Sequence, residues 1–169
     1  MWSGLIRSLY ESKFESLVRH GIIFWRVENE SVSIFKLQKK MIRTMCGVGK
    51  STSCRQLFKD CKILTVTSLY VFEVLCFLKK YKSAIQNNVQ IHDHNTRTNM
   101  NLYIKTCNIN LYIKSVINMG IRLHNKVPNN IRKLEENKPY KRELKSFLIE
   151  HTFYSLEEYM SWCDGIVVN

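Results

Sequence analysis

The sequence predicts a mainly α-helical, compact domain with a long polar loop. Apolar residues recur at helical spacing through most of the chain, Ser and Thr precede several of those runs, and only two prolines interrupt 169 residues. A chain of that length forms one domain of ordinary size, and 45% hydrophobic residues give it a core to bury.

The first 27 residues read as helix, with Leu5, Leu9, Phe14, Leu17 and Val18 as core positions. They close on the apolar block Gly21-Ile-Ile-Phe-Trp25, and the polar turn Glu28–Ser31 follows. SIFKLQKKMIRTMCG then gives the clearest period in the chain. Ile34, Leu37, Met41, Ile42 and Met45 fall on one side of a helix, and Lys36, Lys39, Lys40 and Arg43 on the other. Ser31 or Ser33 suits its N-cap, and Gly47 suits the residue just past its end. A shorter helix, capped by Ser51 or Ser53, runs to about Asp60. Thr65 or Thr67 opens SLYVFEVLCFLKKYKSAI, which is apolar on all faces until Lys79 and therefore predicts a central, buried helix. Residues 87–101 are polar and lack a period, so they predict the loop. The echo NLYIKTCNI–NLYIKSVIN is too short for a solenoid, and its alternation allows one short strand pair around 101–116. GIRLHNKVP (120–128) leads into a turn. Tyr140, Leu144, Phe147 and Leu148 mark a further helix with Pro139 in its first turn, and Ser155-Leu-Glu-Glu158 is a capping box for a last helix to about Ser161.

The net charge is +12 and uneven. Residues 31–134 hold 18 Lys and Arg against Asp60, Glu73 and Asp93, a net of +15; the two ends carry eight bases and eleven acids, a net of −3. Such a field repels itself, so it suits a polyanion: nucleic acid first, then an acidic membrane surface or an acidic protein. No apolar run is long enough to span a bilayer, which argues against membrane insertion. No secretory h-region develops before Arg7, Glu11 and Lys13, and the six cysteines form no CxxC pair. These features predict reduced thiols in an intracellular protein, cytoplasmic or nuclear.

CGVGKSTSC (46–54) ends like a phosphate loop, but the first glycine position of that motif is Thr44, and an amphipathic helix stands where a strand should. A helix C-terminus presents carbonyls, the wrong polarity for a triphosphate. The start of the following helix, with Lys50 and Arg55, could hold a single backbone phosphate. His92-Asp93-His94 with Cys107 lacks zinc spacing, and no nucleophile, paired carboxylates, cofactor loop or small-molecule site is recognisable. The expectation is a non-enzyme without metal or cofactor.

Several blocks together carry a resemblance: HGIIFW (20–25), IFKLQKKMIRTMCGVGKSTSCRQLFKDCKILTVTSLYVFEVLCFLKK (34–80), HDHNTR (92–97), MGIRLHNKVPNNIRKL (119–134) and KRELKSFLIEHTFYSLEEYM (141–160). In this order they resemble the C-terminal, post-polymerase region of reverse transcriptases of non-LTR (LINE-like, jockey-type) retrotransposons, over about residues 9–160. His94 and His20 stand where that family has tyrosines. The family's Tyr/Phe-x-Asp-Asp polymerase motif does not occur in this chain, nor does an endonuclease. The resemblance implies a thumb-side segment that grips RNA or an RNA–DNA template–primer beside the polymerase portion or another protein. Residues where it meets the charge argument are Lys36, Lys39, Lys40, Arg43, Lys50, Arg55 and Arg97. The alternative expectation is a protein-interaction module or an unselected remnant.

Overall fold

A computed structural model of the chain describes residues 4–23, 30–81, 101–103 and 115–166. Every regular element among them is a helix. α1 (Gly4–Leu9) continues through a π-helical turn, Tyr10–Glu15, into α2 (Ser16–Gly21). α3 (Glu30–Cys46), α4 (Cys54–Asp60) and α5 (Val66–Lys80) follow. Then come α6 (Val116–Lys126), the single turn α7 (Asn129–Arg132), α8 (Asn137–His151) and α9 (Leu156–Ile166).

α5 is the buried axis, as its all-round apolar sequence predicts. It packs against α2, α3, α6 and α8, and its Leu69, Val71, Val74 and Leu75 meet Leu123, Tyr140, Leu144 and Leu148 in the main core. Thr65 is its N-cap: Thr65 Oγ1 accepts from the Ser68 amide and donates to the Phe153 carbonyl. Against α5 lies α6, where Gly120 allows close approach; a Cβ there would sit 3.2 Å from Leu78 Cδ1 and 3.3 Å from Val74 Cγ1. Residues 120–126 of GIRLHNKVP are the second half of this helix, with Ile121 and Leu123 buried, and the chain leaves it through extended Val127 and Pro128 into α7. Ser115 caps α6 through the Asn118 amide, so Val116 is helical and not the end of a strand. The rest of the expected strand pair, residues 104–114, lies outside the described residues, as does all but Asn101 of the polar loop. Leu102 is held by Asn125, whose side-chain amide bonds both its N–H and its C=O.

The N-terminal expectation needs correcting. Leu5, Leu9 and Leu17 are exposed, Leu5 and Leu17 by more than 70%, while Tyr10, Val18 and Ile22 are buried and Phe14 half-buried. The buried residues are spaced by fours, and the π turn, with about 4.4 residues per turn, is what holds such a set on one line. Ser31 and Ser33 lie inside α3, which already starts at Glu30, so neither is its N-cap. At the far end, Tyr140, Leu144, Phe147 and Leu148 are buried as predicted. The Ser155 hydroxyl accepts from the Glu158 amide while the Glu158 carboxylate accepts from the Tyr154 amide, a capping box displaced by one residue. α9 runs five residues past the predicted end.

Candidate nucleic-acid interface

α3 is amphipathic, but its buried side is rotated from the predicted one. Gln38 and Ile42 are its most buried residues, with Phe35 and Met41 beside them, whereas Leu37 is 51% exposed. Gln38, a polar residue, is the centre of the buried arc. Its Nε2 donates to the Tyr10 hydroxyl at 2.8 Å and to the Leu64 carbonyl at 2.9 Å, and its Oε1 accepts from the Val66 amide at 2.9 Å. One side chain therefore ties the π turn, α3 and the start of α5, and satisfies a donor that α5 leaves free.

With that arc inward, Lys36 and Lys40, one turn apart, point to solvent. Arg43 lies at their edge, half-buried, and its Nε donates to the Thr52 carbonyl at 2.9 Å. That bond anchors the loop after α3, which carries exposed Lys50. The loop begins in Gly47 at φ 65°, with Gly47 N–H bonded to Thr44 O and Val48 N–H to Arg43 O. This paired closure is the glycine-dependent helix ending that the sequence predicts. A turn closed by Thr52 N–H on Gly49 O follows. The segment before Gly49-Lys50-Ser51 is the C-terminus of α3, the wrong end of a helix for a triphosphate.

The remaining predicted residues behave differently. Lys39 lies along the flank, its ammonium 4.7 Å from the Phe35 ring centre and 5.7 Å from that of Tyr154. Arg55 is not a free phosphate contact: its Nη1 is 2.6 Å from Glu158 Oε1, and its guanidinium stacks 4.5 Å over Tyr154. The Glu158 hydrogen bond raises the Arg55 pKa further. Burial pushes the Glu158 carboxyl up, but Arg55 and the Tyr154 and Ser155 backbone outweigh it and hold it below the usual range. Glu158 therefore holds Arg55 in addition to its part in the capping box. Ser53 makes no side-chain cap to α4, a seven-residue helix, so the predicted single-phosphate site at that helix start has neither its cap nor its arginine. Arg97, His92, His94 and Cys107 lie outside the described residues. Lys36, Lys40 and Arg43 lie along one edge of α3, Lys50 follows in the loop that Arg43 anchors, and among the described residues no carboxylate pairs with any of them.

A separate cleft of about 660 Å³ opens between Arg7, Glu11, Glu15, Arg19, Lys62 and Glu73. Its charges are largely spent on one another: Arg7 with Glu11, and Arg19 with both Glu15 and Glu73. Glu73 Oε1 is 3.0 Å from Arg19 Nη1 yet not aligned for a hydrogen bond. Burial pushes its carboxyl up against the pull of Arg19 and Lys141. Ser16 and His20 also line the cleft, one helical turn apart, and among the described residues no hydrogen bond joins them. Among the described residues no group of three potential ligands could hold a metal ion, and no helix is long and apolar enough to cross a membrane. Comparison with protein-family models, curated proteins and solved structures returns no match, so the functional reading rests on these residues themselves.

Proposed function

We propose that the chain is a non-catalytic nucleic-acid-binding segment, of the kind that follows the polymerase in non-LTR retrotransposon reverse transcriptases. Lys36, Lys40, Arg43 and Lys50 hold the phosphates of RNA or of an RNA–DNA template–primer inside the cell. The observation that carries this reading is that Lys36, Lys40 and Arg43 lie along one edge of α3, with Lys50 in the loop that Arg43 anchors, and that among the described residues no carboxylate pairs with them, in a stretch of net +15. Lys39 and Arg55 frame the Tyr154 ring at the border and contribute position more than free charge. Arg97 belongs to the same proposal by its place in the HDHNTR block.

Binding of the full chain to single-stranded RNA, duplex DNA and an RNA–DNA hybrid tests it. The proposal expects association with all three at low salt, strongest with the hybrid. A folded chain that binds none of them overturns it. In that event a protein-interaction module is the reading left, and it has its own observation: Leu5, Ile6 and Leu9 of α1 are all exposed.

A further inference from the structure

Two cysteines that the sequence offers only as core thiols stand together at the base of the basic loop. Cys46 is the last residue of α3, and Cys61 follows the last residue of α4. Their sulfurs are 3.7 Å apart, across 15 positions of sequence. Cys46 is half-buried and Cys61 is buried. Between them run Gly47 and Gly49, the Lys50 loop and α4. A disulfide needs about 2.05 Å between sulfurs, so closure asks for a movement of under about 2 Å, and both cysteines lie at helix ends rather than mid-helix. Cys54, in the same small core, is differently placed: its thiol faces the carbonyls of Lys39 and Thr52.

We propose that Cys46 and Cys61 are a redox-active dithiol that hydrogen peroxide closes to an intramolecular disulfide. The more accessible Cys46 sulfur attacks one peroxide oxygen, giving a sulfenic acid and releasing the first water. The Cys61 sulfur then attacks the Cys46 sulfur, and the hydroxyl leaves with the Cys61 proton as the second water. Two thiols are oxidised and one peroxide is reduced, with nothing left over. Burial, together with the neighbouring Cys46, pushes the Cys61 thiol up, which makes Cys61 the poorer first nucleophile of the two. The bond would pin the end of α3 to the end of α4 and so fix the loop that carries Lys50. This chemistry stands whether or not the chain binds nucleic acid.

The test treats the folded full chain with hydrogen peroxide, blocks free thiols by alkylation and digests with trypsin without reductant. Cys46, Cys54 and Cys61 fall on separate peptides, residues 44–50, 51–55 and 60–62. The expected result is a dithiothreitol-sensitive link between the first and the last, with the loss of two hydrogens. In the Cys61→Ser chain the link disappears and dimedone traps sulfenic acid on Cys46 several-fold more than in the unsubstituted chain. A link through Cys54, a link between two chains in a mixture of isotopically light and heavy protein, or no link while Cys46 advances to sulfinic acid overturns the proposal. The unsubstituted chain decides this even if the Ser variant fails to fold.

Discussion

Replacing Gln38 by Leu keeps the volume of the side chain and removes all of its hydrogen bonds. Gln38 is 1% exposed and bonds the Tyr10 hydroxyl, the Leu64 carbonyl and the Val66 amide. Each such bond contributes about 1 kcal/mol net, and a buried group left without its partner costs about 1–3 kcal/mol. The leucine methyls recover part of that by apolar burial, roughly 1–2 kcal/mol. The expected net loss is about 3 kcal/mol. With a urea m-value of about 2 kcal/mol/M for a chain of this size, the midpoint should fall by about 1.5 M in far-UV circular dichroism. The adjacent change Leu37→Gln supplies the control, because Leu37 is 51% exposed and should cost less than about 0.5 kcal/mol. Sequence periodicity alone expects the opposite order. A Leu37→Gln chain less stable than Gln38→Leu would refute the orientation of α3, and with it the account of which lysines face solvent.

Two further outcomes follow from burial elsewhere. Gly120→Ala should destabilise by about 1 kcal/mol despite the better helix propensity of alanine, because the new methyl meets Val74, whose branched side chain cannot rotate away; thermal unfolding measures it. Glu73 titrates higher in the native state than in the unfolded chain, chiefly through burial. The native state therefore holds that proton more tightly, and the stability it contributes is complete below the ordinary glutamate pKa and is lost as pH rises through the raised one. The stability of the unsubstituted chain minus that of Glu73→Gln should thus fall as pH rises above the ordinary glutamate range, as followed by urea titrations; a rise would show that the ion pair with Arg19 outweighs burial.

Elements that bury apolar groups by their own local pattern were legible in the sequence. α5 is apolar on every face, α8 places Tyr140, Leu144, Phe147 and Leu148 at helical spacing, and Gly47 marks the left-handed residue that closes α3. The misreadings have a common cause, which is that a partner distant in sequence chose the buried side. Gln38 is turned inward by Tyr10 and by the start of α5, which no period in α3 reveals. The π turn shifted the core line of the first helices onto Tyr10, Val18 and Ile22, past the three leucines. Arg55 meets a carboxylate 103 positions away, so a stretch that looks unneutralised along the chain is partly neutralised in space. The His-rich block and the echo of NLYIK lie mostly outside the described residues.

The most direct measurement of the phosphate-gripping claim is the salt dependence of RNA binding by the unsubstituted chain and by the combined Lys36→Gln, Lys40→Gln, Arg43→Gln, Lys50→Gln chain. Each phosphate contact on single-stranded RNA contributes about 0.7 to the slope of log affinity against log salt, so loss of four contacts should flatten that slope by about 3. Affinity at low salt should fall for every RNA sequence alike, with far-UV circular dichroism unchanged. Equal slopes for the two chains would remove α3 and its loop from the interface and contradict the account.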